Sequence, residues 1–154
     1  MPSTYTGHTP PATATLDPRI VPFFERFYAT SDTKGEASDR EYADAVTEGG
    51  TLIMGSKTAE GYEQILALRQ GLWSGPVAKR KHHVSQIYPF TSMDCMLHGT
   101  VDYVLKNGKE LSVDWAAKAV FVEEVEGDGS DGQVRMRFYQ VYVDSGRVMA
   151  AASS

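Results

Sequence analysis

The chain has 154 residues, 42% of them hydrophobic and 23% charged, with a formal net charge of −5. That length fits one domain with a sizeable core, and the acidic balance excludes a general nucleic-acid binder and gives no attraction to an anionic membrane. The single cysteine, Cys95, rules out an intrachain disulfide, and no apolar run approaches the ~18 residues of a membrane span. Residues 1–15 are rich in Thr, Pro and Ala, with neither the charged nor the apolar region of a secretory leader, and read as a flexible tail on a cytosolic protein. Asp17-Pro18 starts a helix to about Thr30, with Ile20, Phe23, Phe24, Phe27 and Tyr28 as its apolar stripe. Ser31–Ala37 reads as a polar loop. Ser38 and Glu41 fit a capping box for a short second helix to about Val46. Thr51–Met54 reads as a strand, and a third helix spans about Ala59–Trp73 until Gly75-Pro76 stops it. From Lys79 the pattern turns to strand: Lys81–Phe90, then two long arms within Asp94–Glu124, then Val134–Asp144. Glu126–Gly132 reads as an acidic, glycine-rich hairpin tip. The domain is expected over residues 16–146, with 147–154 as a second flexible tail. Helices followed by a run of antiparallel strands mark an α+β architecture.

The arms of Asp94–Glu124 meet at Lys106-Asn107-Gly108-Lys109, where Asn-Gly marks a hairpin. Side chains alternate along a strand, so the register decides which residues share a face. A three-residue loop with a bulge at Gly108 joins the two apolar sets and leaves His98, Asp102, Asp114 and Lys118 on a solvated face. A two-residue turn instead brings Asp114 and Lys118 onto the face of Leu97, Val101 and Tyr103. The cleaner hydrophobic pattern favours the bulged register. Cys95, in mid-strand, reads as a buried inert thiol.

Three motifs carry less than they promise. Gly50–Thr58 resembles a phosphate-binding loop, but Ser56 separates the second glycine from Lys57, and the apolar middle reads as strand. Glu126–Gly132 lacks the spacing and closing glutamate of a calcium loop. In Lys79-Arg80-Lys81-His82-His83 only one of the two histidines faces inward, and no further ligands stand at metal-site spacing. No cofactor and no metal are expected. The chemistry-bearing set is then His83, His98, Asp102, Asp114 and Lys118, beside Tyr28, Tyr103, Trp73 and Trp115. A carboxylate or imidazole in such an apolar setting suits proton transfer near neutrality.

This order of elements resembles the NTF2-like fold, in its SnoaL-like and scytalone-dehydratase-like branches, over about Asp17–Asp144. Thr51–Met54 leading into the Gly61–Leu72 helix, and Lys81-His82-His83-Val84 opening the sheet, are the local matches. The resemblance implies a cone: a curved antiparallel sheet covered by three N-terminal helices around a central pocket. It also implies a cofactor-independent isomerase, cyclase or dehydratase of a small apolar, polyketide- or terpenoid-like metabolite, and a homodimer through the sheet. In that pattern Tyr28 matches the helix tyrosine of scytalone dehydratase, while Ala29 replaces the aspartate beside it. Met54 stands in place of the strand tyrosine, and His83 matches the first sheet histidine. The general-base aspartate of ketosteroid isomerase also finds no match, Ile53 or Met54 lying in its region. His83 is therefore expected as general acid/base, Tyr28 as hydrogen-bond donor to a carbonyl or enolate, and Asp114 as second acid/base oriented by Lys118 if the two-residue turn holds. Phe24, Met54, Trp73, Tyr103 and Trp115 are expected to shape the pocket. The alternative is a non-catalytic ligand-binding or dimeric interaction module.

Overall fold

The computed structural model describes residues 14–124 and 132–154. The N-terminal tail up to residue 13 and all of the acidic tip except Gly132 lie outside the described residues. In chain order the elements are α1 (Ile20–Ser31), α2 (Glu36–Asp44), β1 (Val46–Met54), β2 (Lys57–Glu60), α3 (Gly61–Ser74), β3 (Val77–Thr91), β4 (Asp94–Leu105), β5 (Glu110–Glu124), β6 (Gln133–Val143) and α4 (Ser145–Ser153). The strands form one curved six-stranded sheet in the order β2-β1-β6-β5-β4-β3. It is mixed rather than wholly antiparallel, because β1 runs parallel to β6. The architecture is α+β, with the NTF2-like cone expected from the element order.

One face of the sheet is the core. Leu97, Val101, Val113, Trp115, Ala117, Ala119, Tyr139 and Leu52 point into it and are buried beneath the aromatic stripe of α1. Phe23, Phe24, Phe27, Tyr28, Tyr42, Phe121 and Tyr139 interlock there with ring centroids 5.0–5.9 Å apart. Such ring pairs contribute beyond the area they bury.

The hairpin takes the three-residue loop. Leu105 N–H donates to the Lys109 carbonyl at 2.8 Å, and Gly108 sits at φ +86°. Val101 then lies opposite Val113 and Thr100 opposite Asp114, so the apolar sets share the core face.

Four expectations shift. The second helix begins at Glu36 after Gly35, whose φ of +132° suits glycine, and Ser38 makes no cap bond. Glu36 and Asp39 lie in its first turn, where negative charge favours the helix dipole. Thr51–Met54 is the end of a longer strand, and β2 precedes the third helix. The segment read as a C-terminal tail forms α4, which buries Val148 and accepts a bond at the Ala151 carbonyl from the Asn107 side chain at 3.0 Å. No helix among the described residues is long and apolar enough to cross a membrane.

Candidate active site

Strand β3 decides what the site contains. It is an edge strand with register shifts between Val77 and Lys79 and between Val84 and Gln86. Val77 faces the core, so simple alternation would send Lys79, Lys81 and His83 inward with it. The first shift inserts a residue and reverses the parity. Arg80, opposite Tyr103, and His82, opposite Val101, therefore face inward. His83, opposite Thr100, faces outward.

His82 meets Asp32, the residue just past α1, within the segment Ser31–Ala37 that the sequence marks as a polar loop. Asp32 Oδ2 accepts the His82 backbone N–H at 2.9 Å, and its Oδ1 lies 2.5 Å from His82 Nδ1. The two side chains are 11% and 16% exposed. Above the imidazole lies the Tyr28 ring, with centroids 5.0 Å apart, and Trp115 meets it edge-on at 5.7 Å. Trp115 is fixed in turn by its Nε1–H donating to the Thr100 carbonyl at 2.9 Å. A cleft of about 570 Å³ opens between α1 and β3 beside this pair, with Val21, Phe24, Tyr28, Val84 and Ile87 among its lining residues. Burial, then the neighbouring Tyr139, pushes the Tyr28 phenol well above its ordinary value. The two hydroxyls are hydrogen-bonded at 2.9 Å, and both stay protonated at neutral pH.

The expected residues divide between the two faces. Tyr28 and Phe24 line the cleft. Trp115 and Met54 lie on the core face, and Tyr103 packs against the core, where burial raises its phenol. Trp73 lies at the end of α3 between cations rather than on the cleft: the Arg80 guanidinium is 4.5 Å from its ring centroid and Lys34 Nζ is 4.9 Å away. His83, Asp114 and Lys118 are on the outer face. His83 Nε2 meets Asp102 Oδ2 at 2.9 Å with both side chains more than half exposed. Ser112, then His83, holds the Asp102 carboxyl below its usual range. Asp114 lies across from Thr100 and borders a shallow outer hollow with Ser85, His98 and Tyr142. Lys118 lies between Met96 and Gln140. The bulged hairpin register keeps both away from the imidazole of His82. The signal for the inward pair was present as the doublet His82-His83 and as Asp32, one helical turn after Tyr28.

No protein-family model and no curated protein matches the chain's sequence. Solved structures do match its fold. A protein from Jannaschia sp. CCS1, described as a candidate SnoaL-like polyketide cyclase, superposes over 92% of this chain and 96% of its own, with a TM-score of 0.69 and 17% identity. ActVI-ORFA from Streptomyces coelicolor covers 82% of this chain and 95% of its own, with a TM-score of 0.63 and 16% identity. Nuclear transport factor 2 from Cryptosporidium parvum covers 86% of this chain and all of its own, with a TM-score of 0.59 and 11% identity. The chain has the NTF2-like fold.

Proposed function

We propose that the protein is a cofactor-independent acid/base enzyme, an isomerase, cyclase or dehydratase, acting on a small, largely apolar metabolite of polyketide or terpenoid type. The observation that carries this reading is the Asp32–His82 pair beside an apolar cleft. With Nδ1–H donated to the Asp32 carboxylate, His82 keeps its Nε2 lone pair free to take a proton from a substrate carbon or hydroxyl. The carboxylate steadies the imidazolium that forms. The proton then returns to a neighbouring atom, giving isomerisation, or leaves with a departing hydroxyl as water, giving dehydration. Tyr28 packs against the imidazole, and Phe24, Val84 and Ile87 supply apolar contact to the substrate skeleton. His83 and Asp114 have no part in this scheme.

The test is deuterium incorporation from D2O into fused-ring aryl ketones and 1,3-diketones, followed by NMR. Wild-type protein is expected to accelerate exchange on at least one probe. Asp32→Asn, which withdraws the charge from the imidazole, is expected to lower that rate about 10²-fold or more. Exchange at the buffer rate with every probe would overturn the assignment.

Two observations favour a second reading, a non-catalytic ligand-binding or dimeric module. Aromatic rings fill the middle of the cone, and the outer sheet face exposes Tyr88, Met96 and Tyr142. We infer that this outer face pairs with a second copy of the chain. Such a homodimer is compatible with either reading.

A further inference from the structure

Arg80 is partly buried, and no carboxylate among the described residues lies within salt-bridge distance of it. Its Nε and Nη2 both donate to the Ser31 carbonyl, at 3.0 and 2.6 Å, and its guanidinium lies against Trp73. Its Nη2 also reaches the buried Ser31 hydroxyl at 3.3 Å, but the carbonyls at the end of α1 have another donor. Arg69, fully buried and paired with Asp39 at 3.0 Å, already donates to the carbonyls of Thr30, Ser31 and Thr33 at 2.6–3.0 Å. Arg80 is a second guanidinium on a carbonyl that Arg69 has satisfied. Even partial burial of a charge without a carboxylate partner costs some folding free energy, and desolvation lowers the pKa of Arg80.

Its position supplies a reason. Arg80 and His82 are two apart on one strand and share a face. They grip two consecutive residues, Ser31 and Asp32, at the end of one helix. We propose that Arg80 is a positioning residue for the Asp32–His82 pair, fixing the last turn of α1 against β3 so that the Asp32 carboxylate stays on Nδ1 of His82, which lines the cleft. Arg69 anchors the helix end to α2 and α3. Arg80 ties it to the strand that carries the base.

This inference rests on the Asp32–His82 reading, and the experiment separates the two. Long-range ¹H–¹⁵N correlation spectra of the full chain, with His82 assigned by its loss in His82→Asn, report which ring nitrogen carries the proton at a pH where the imidazole is neutral. The wild type is expected to show one dominant Nδ1–H tautomer. Arg80→Met removes donors and charge together and is expected to give comparable populations of the two tautomers in a folded protein. Arg80→Gln keeps one amide donor for the Ser31 carbonyl without the charge, and is expected to restore the wild-type pattern.

Three results would overturn the inference. One is an unaltered tautomer in Arg80→Met, and another is a failure of Arg80→Gln to restore the pattern, which would assign the effect to charge. The third is loss of the fold in Arg80→Met, which would make the role of Arg80 structural rather than one of positioning. If Asp32→Asn leaves His82 unchanged, the Asp32–His82 reading fails by itself, whatever the arginine variants do.

Discussion

Gly99 is the residue on which the strand carrying both histidines depends. A Cβ built there would lie 1.8 Å from the His83 carbonyl oxygen and 2.8 Å from its carbon. Both belong to backbone, so no rotamer change relieves the clash, and β3 would have to move away from β4. Gly99→Ala is expected to destabilise the protein by about 1–3 kcal/mol in chemical denaturation, as overpacking does. Gly71 is the opposite case, lying inside α3 with nothing near the added methyl. Gly71→Ala should therefore stabilise by about 0.5–1 kcal/mol. Equal stability of the two variants would show that β3 and β4 do not pack so closely at Gly99. Cys95 needs no such adjustment. It is buried, and burial pushes its thiol up to about 12, so it stays protonated and unreactive at neutral pH.

At the scale of elements, α1 is the helix on which the site is built, and both its ends are tied by charge. Before its first turn Asp17 takes a side-chain and a backbone bond from Arg19, which also reaches Glu123 at 2.6 Å. These bonds lower the Asp17 carboxyl to about 2. The folded value lies below the unfolded one of about 3.9, so the contribution is complete above about pH 4 and is lost as the pH falls through about 2. Asp17 and Arg19 pair at the surface, with side chains 19% and 32% exposed, so the effect is small and screened by salt. Asp17→Asn is expected to leave acid unfolding less steep between pH 4 and 2 at low salt, and to converge with the wild type in about 1 M salt. Identical acid curves at low salt would refute the tie.

The same helix marks where sequence patterning reaches and where it stops. Its aromatic stripe and the hairpin at Asn107-Gly108 were readable because each repeats a period over many residues and one face is buried. The inward turn of His82 was not, because a bulge adds a residue without marking the side-chain pattern, and an edge strand as exposed as β3 has little pattern to disturb. Asp32 looked like a loop residue, since its partner lies 50 positions away. Helix α4 carries no local signal that separates it from a tail, because its anchors, Val148 in the core and Asn107 on Ala151, are tertiary.

For the molecule as a whole, the proposed function gives the two faces of the sheet different roles. The covered face holds the Asp32–His82 pair and the cleft. The open face carries Tyr88, Met96 and Tyr142 amid His83, His98, Asp102, Asp114 and Lys118, a surface with charges of both signs that can meet its own copy. Sedimentation equilibrium is expected to give about twice the 16.9 kDa chain mass, and Met96→Glu with Tyr142→Glu should return the monomer. A wild-type monomer at high micromolar concentration would leave that face without its assigned partner.

The proposed base is His82 and not its neighbour His83. The direct test compares His82→Asn with His83→Asn in the deuterium-exchange assay, on whichever probe the wild type accelerates. The prediction is loss of about 10²-fold or more in His82→Asn, with His83→Asn close to the wild type. Loss in His83→Asn with activity kept in His82→Asn would rule out His82 as the base and move the chemistry to the outer face.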